Sequence, residues 1–277
     1  MKKFYSIISI VVLLLTATSA TAKTIDLSKV TSKITAYDGD VLTGTLAKKV
    51  KVEINEGATV TLDNVSINAD GSLTDNSKAF PGLTVDYTAT IILKGKNTIV
   101  SLHDRCSGIL AGCSTDYTLT IDGDGELYVK GGYYGAGIGS GDEDESEDCG
   151  NIIIKGGTIV AEGGHCGAGI GCGRKTQCGD ITIENTVTSV TAIKGVSATH
   201  SIGVEGNYSN VGTITIGGKV IKDGIKESPY TYVPGSDGIS ATKSDSQKQG
   251  GIYSLDGARR STMQKGINVV NGRKVIK

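Results

Sequence analysis

Tryptophan is absent from this chain of 277 residues, phenylalanine occurs twice and proline three times. Without tryptophan, recognition through a flat ring falls to the 11 tyrosines. With so little proline the chain must turn by other means, and 40 glycines supply them. An excess of one charge is missing too. The 28 Lys and Arg stand against 29 Asp and Glu, which gives no basis for expecting nucleic acid or an acidic membrane as partner. No long run of helix formers occurs, while Thr, Ile and Val are abundant, which predicts an all-β chain with many tight turns. After the first 22 residues no apolar stretch is long enough to cross a bilayer as a helix, so no transmembrane segment is expected.

The N-terminus reads as a secretory signal. Lys2 and Lys3 precede a short apolar stretch from Ile7 to Leu15, and Ala20-Thr21-Ala22 is a small-x-small cleavage site. Residues 1–22 are therefore expected to be removed, with the mature chain beginning at Lys23, secreted or held at the cell surface. No cysteine follows the cleavage site, so no N-terminal lipid anchor is expected. At the other end, GIYSLDGARRSTMQKGINVVNGRKVIK (251–277) predicts short strands around Ile252–Leu255, Ile267–Val270 and Val275–Ile276, with turns at Asp256-Gly257 and Asn271-Gly272. This segment resembles the C-terminal sorting tail of Bacteroidetes secreted proteins. The resemblance implies export through outer-membrane secretion machinery, with the tail as address. The polar stretch 233–250, VPGSDGISATKSDSQKQG, reads as a linker.

Between the two ends the chain repeats. The strands TVTL (59–62), TIIL (90–93), TLTI (118–121), NIII (151–154), DITI (180–183) and TITI (213–216), aligned on their last residues, recur at steps of 31, 28, 33, 29 and 33. A second strand follows in TIVSL (98–102), ELYVK (126–130), TIVAE (158–162) and SVTAI (189–193). A third lies in SGILAG (107–112), GAGIGSG (135–141), GAGIGCG (167–173) and HSIGVEG (200–206). Three short strands per unit without helical periodicity predict a right-handed parallel β-helix of about six coils of 28–33 residues, occupying residues 23–232. Alternation turns Val60/Leu62, Ile91/Leu93, Leu119/Ile121, Ile152/Ile154, Ile181/Ile183 and Ile214/Ile216 inward.

The repeated GAGIG is not a phosphate loop on this reading. Such a loop needs a helix after it, whose N-terminus faces the anion, and here strands lie on both sides. The glycines are expected where the third side approaches the core (Gly137, Gly169) and at corners (Gly135, Gly141, Gly167, Gly173), where close packing or positive φ excludes a side chain.

Candidate sites follow from residue type. DEDESED (142–148) puts six carboxylates into seven residues, a charge density that a hard cation would relieve. Asp142, Glu143, Asp144 and Asp148 are the Ca²⁺ candidates. The competing reading is a solvated acidic loop neutralised by Arg174 and Lys175 on the next coil. Cys149 and Cys178 each lie five residues before an aligned isoleucine, so adjacent coils bring them within disulfide reach. Cys106, Cys113, Cys166 and Cys172 have no such partner. A zinc set of His165, Cys166, Cys172 and Cys178 lacks C-x-x-C spacing. Asp122 and Asp124 read as turn residues more than as a glycosidase pair. A partial outward column of threonines on the first strand reads as ordinary solvent-facing β residues more than as an ice-binding array.

GDVLTGTL (39–46), GATVTLDNVSI (57–67), the GAGIG corners and GGTIVAEGG (156–164) together resemble a family of secreted bacterial carbohydrate-binding domains. That resemblance spans about Gly39 to Val220. It implies a right-handed parallel β-helix that binds acidic polysaccharide, with Ca²⁺ in the coils and without clear catalysis. Lacking tryptophan, the chain offers Tyr87, Tyr117, Tyr128, Tyr133, Tyr134 and Tyr208 for stacking, of which Tyr128, Tyr133 and Tyr134 are the expected ligand-binding residues. The favoured function is thus an exported, non-catalytic polysaccharide binder. A Ca²⁺-dependent polysaccharide lyase using the acidic insertion with Arg174, and a structural surface adhesin, are the alternatives.

Overall fold

The computed structural model describes residues 21–75, 77–143 and 148–235, together with four short C-terminal strands. Most of the expected signal peptide (1–20), most of the expected linker (236–250) and the calcium candidate Asp144 lie outside the described residues.

Alternation decides the core. All twelve residues expected to face inward on the first side, from Val60 to Ile216, are buried. Each such aliphatic stabilises by roughly 1.5–3 kcal/mol, less than the ordering cost of the coil around it, so coils hold only as a stack. The stack is a right-handed parallel β-helix: strands of successive coils pair in parallel in three ladders, one per side. The first side stacks Thr59–Ile67, Ala89–Lys94, Thr118–Gly123, Asn151–Ile154, Ile181–Ile183 and Ile214–Ile216. The second stacks Lys96–Val100, Glu126–Lys130, Thr158–Glu162 and Ser189–Ile193. On the third side, Ile109, Ile138, Ile170 and Ile202 form one column.

One register differs from the spacing argument. Ile121 pairs with Ile91, not with Leu93, so the second step is 30 residues and not 28. The strand runs on through Asp122 and Gly123, which sit opposite Ile92 and Leu93. A slip of two residues leaves every side chain on its face, so burial alone could not reveal it. It does align Thr59, Thr90, Thr120, Ile153, Thr182 and Thr215 into one outward column.

The N-terminal coils are shorter than the sequence period predicts. Thr24–Asp26, Val41–Thr45 and Thr59–Ile67 pair in succession, and Ile34–Ala36 pairs with Val52–Ile54, with Leu42 only 20 residues before its partner Leu62. The corner between the first and second sides falls at Asn64, a non-glycine residue at φ 56°. The first half of the Thr59–Ile67 strand pairs with Ala89–Lys94 and its second half with Lys96–Val100. Buried Asn97 secures this corner: its Oδ1 accepts from Val65 N at 2.9 Å and its Nδ2 donates to Lys94 O and Glu126 O.

The GAGIG glycines serve close packing. A Cβ on Gly167 would lie 1.9 Å from Gly135 O, and one on Gly173 the same distance from Gly141 O. Positive φ falls instead on the glycine after each isoleucine, Gly139 at 137° and Gly171 at 124°. After Ile216 the strand Lys219–Ile221 folds back antiparallel on the last coil, and Tyr230–Tyr232 pairs antiparallel with Ser189–Ile193.

Residues 236–277 form a separate unit. Its four strands pair antiparallel in the order Arg259–Arg260, Ile252–Tyr253, Ile267–Val270, Arg273–Ile276. The strand at Arg259–Arg260 is one more than the apolar pattern indicates. Among the described residues no helix is long and apolar enough to cross a membrane.

Candidate ligand-binding ridge

The corner between the second and third sides carries Tyr133, 46% exposed, with Tyr134 beside it. Gly132, Gly164 and Gly195 stack there so closely that a Cβ on Gly164 would meet Gly132 O at 1.6 Å. That contact sets the next residues in register. The Tyr133 ring lies parallel to the His165 imidazole, centroids 4.6 Å apart and planes 3° from parallel. Tyr134 meets Tyr133 edge-on at 4.7 Å. His165 Nε2 approaches Ser197 Oγ on the following coil at 3.5 Å. The row of Tyr133, His165 and Ser197 therefore runs along the helix axis. The sequence held a signal for His165: aligning GGYYGAG (131–137) with GGHCGAG (163–169) sets it opposite Tyr133.

A cationic row flanks the rings. The Arg174 guanidinium lies 4.5 Å from the Tyr134 centroid, and Lys175 Nζ lies 5.9 Å from that of Tyr208, which is 80% exposed. Such contacts hold a cation against a ring face while its head stays near water. Gly173 N donates to Ser140 Oγ at 2.8 Å and Ser140 Oγ contacts Thr176 Oγ1 at 2.6 Å, which ties this segment to the coil below.

The acids of the insertion take separate roles. Asp142 is fully buried, and Arg174 clamps it with Nε to Oδ1 at 3.0 Å and Nη2 to Oδ2 at 2.9 Å. Arg105 Nη1 stands 3.9 Å from the same carboxylate. A buried carboxylate requires such pairing, and the bidentate fork supplies it. Glu143 meets Lys175 at 2.7 Å, and Asp148 Oδ1 accepts from Gln177 N at 2.9 Å. Two of the calcium candidates thus face the cations of the next coil. Among the described residues no group of three or more His, Cys, Asp or Glu is arranged to hold a metal ion.

Tyr128 is not part of the ridge. It sits on the second side, where its hydroxyl donates to Glu162 Oε2 at 2.8 Å and Lys130 holds the other oxygen at 2.7 Å. Burial, then the bond to Glu162, pushes the Tyr128 phenol up to about 12. Tyr87 and Tyr117 pack edge-on at 5.1 Å just before the first-side strands that begin at Ala89 and Thr118.

Cys149 and Cys178 form a disulfide between adjacent coils, with Cα atoms 4.5 Å apart. Cys178 is therefore not a zinc ligand. Buried Cys172 donates to Asn210 O at 3.1 Å, and burial followed by the charges of Asp148 and Glu205 pushes its thiol up to about 12. Cys166 contacts His165 Nδ1 at 3.3 Å, and Cys113 is exposed. Asp122 Oδ1 accepts from Gly123 N at the end of a strand.

Searches against protein-family models, curated proteins and solved structures find no match for this chain.

Proposed function

We propose that this protein is an exported, non-catalytic binder of polysaccharide, with the ridge of Tyr133, Tyr134, His165 and Tyr208 as its binding face and an acidic glycan as its ligand class. The observation that carries the reading is the spacing of ring and cation along the helix axis. Tyr133 and His165 are held one coil apart, with Arg174 and Lys175 seated over neighbouring rings. Successive coils advance by about 4.8 Å, so Tyr133 and His165 present rings on two consecutive steps to an extended chain of sugars, with Ser197 on the third. Phenol and imidazole edges offer hydrogen bonds to hydroxyls, and Lys175, whose side chain is 41% exposed, offers charge to a sugar carboxylate beside Glu143. The signal peptide and sorting tail belong to the same proposal, since they deliver the ridge to where polysaccharide is met.

A glycan array with and without EGTA, paired with an assay for unsaturated products on pectin, tests this reading. The expected result is capture of acidic polysaccharide that persists in EGTA without product. Capture lost in EGTA would move the site to calcium at 142–148, unsaturated product would make the protein a lyase, and no capture would leave an adhesin.

A further inference from the structure

The last coil carries a cavity that the ridge does not use. The returning strand Lys219–Ile221 and the bridge from Ile225 to Ile202 border a half-open cleft of about 540 Å³ against the coil. Buried Ile214 with half-buried Val211 and Ile221 makes its apolar wall, and Lys222, Asp223 and Lys226 make an exposed rim. His200 lines the same space and is only 8% exposed. Its Nδ1 contacts Val204 O at 3.1 Å and Thr199 Oγ1 at 2.6 Å. A carbonyl only accepts, so in the neutral imidazole Nδ1 carries the proton and Nε2 keeps its lone pair. Nε2 has no hydrogen-bond partner among the described residues. The adjacent ring atom Cδ2 faces Gly224 on the cavity wall, where a Cβ would come within 2.9 Å of it.

We propose that this cavity binds one small hydroxylated carboxylate of the uronic-acid class. Its volume falls within the range of small-molecule sites, roughly 300–1,000 Å³. The aliphatic wall takes the C–H face of a sugar ring, and His200 Nε2 accepts from a hydroxyl. The rim carries two lysines against one aspartate, a surplus of one positive charge for the carboxylate. In its sugar chemistry the inference rests on the polysaccharide reading and names a subsite for a chain terminus at the end of the helix; its geometry is independent of the ridge.

The test is an NMR titration of the full chain with galacturonate, reading the His200 ring nitrogens and the amides of Val211 and Lys222. Galactose and acetate are the controls, and Lys222→Met/Lys226→Met is the variant. Both lysines are exposed, so the variant leaves the fold intact. Galacturonate is expected to give saturable shifts at all three residues, with affinity about tenfold weaker in the variant and about tenfold weaker again for either control. Absent saturation, an equal response to galactose or to acetate, or unchanged affinity in the variant would each overturn the proposal. Polysaccharide captured on the ridge while galacturonate leaves His200 unshifted would remove the cavity alone. Galacturonate filling the cavity without any polysaccharide capture would remove the ridge and keep the cavity.

Discussion

Asp142 is the residue on which the corner of the stack depends. Its carboxylate is fully buried against Arg174, so removing that guanidinium leaves a buried charge with Arg105, 3.9 Å away, in place of a bidentate partner. Arg174→Met is expected to destabilise by about 3–5 kcal/mol, and Asp142→Asn/Arg174→Met by clearly less, because the double variant leaves no charge behind. Denaturant unfolding of the two variants checks this; equal losses would mean that the pair is not the organising contact. The thiols make a second prediction. A thiolate, not a thiol, reacts with iodoacetamide. Cys172, buried and pushed up to about 12, stays protonated at pH 8, whereas Cys113 is exposed. Peptide mapping after brief labelling should find Cys113 modified and Cys172 intact. Fast modification of Cys172 in the folded protein would contradict its burial.

The coil is the next scale, and its central question is register. The pairing of Thr90 with Thr120 predicts that Thr90→Cys/Thr120→Cys forms a disulfide on oxidation, since neighbouring strands lie about 4.8 Å apart. Thr90→Cys/Thr118→Cys should not, although spacing alone aligns those two residues. The reverse result would restore the 28-residue step. This marks how far the sequence can be read. Ile152, Ile154 and their equivalents identify the inward face by alternation, because burial has a period of two. The two-residue slip at Asp122–Gly123 preserves that period, so nothing in the apolar pattern records it. The short N-terminal coils were hidden for another reason: Leu42 and Leu62 are 20 residues apart, outside the period that organises the rest. Of the ridge, Tyr133 and Tyr134 were legible as exposed-type aromatics in a corner. Tyr128 has the same residue type, but its hydroxyl is taken by Glu162 of the next coil, a pairing that its own strand does not announce. The acidic insertion misled in a similar way, since charge density along the chain says nothing of Arg174, which arrives from the coil above.

At the scale of the molecule, the helical stack and the C-terminal sheet are separate units, each with its own strand pairing. Deleting residues 251–277 is therefore expected to leave the melting of the β-helix unchanged, while release or surface display in the native host is lost. A truncated protein that reaches the surface at normal levels would remove the sorting role of the tail. On the proposed reading the site spans several coils, with Tyr133 and His165 on the second-to-third corner of successive coils and Tyr208 beyond the third-side strand Ile202–Gly203, beside Lys175. Calorimetric titration of polygalacturonate into the full chain and into Tyr133→Ala/Tyr208→Ala, with matched melting temperatures, puts this to the test. The expected result is saturable binding by the native chain that weakens at least about tenfold in the variant, the scale of a lost aromatic contact. Equal affinity in the two proteins, or no binding by either, would show that the ridge is not a polysaccharide site.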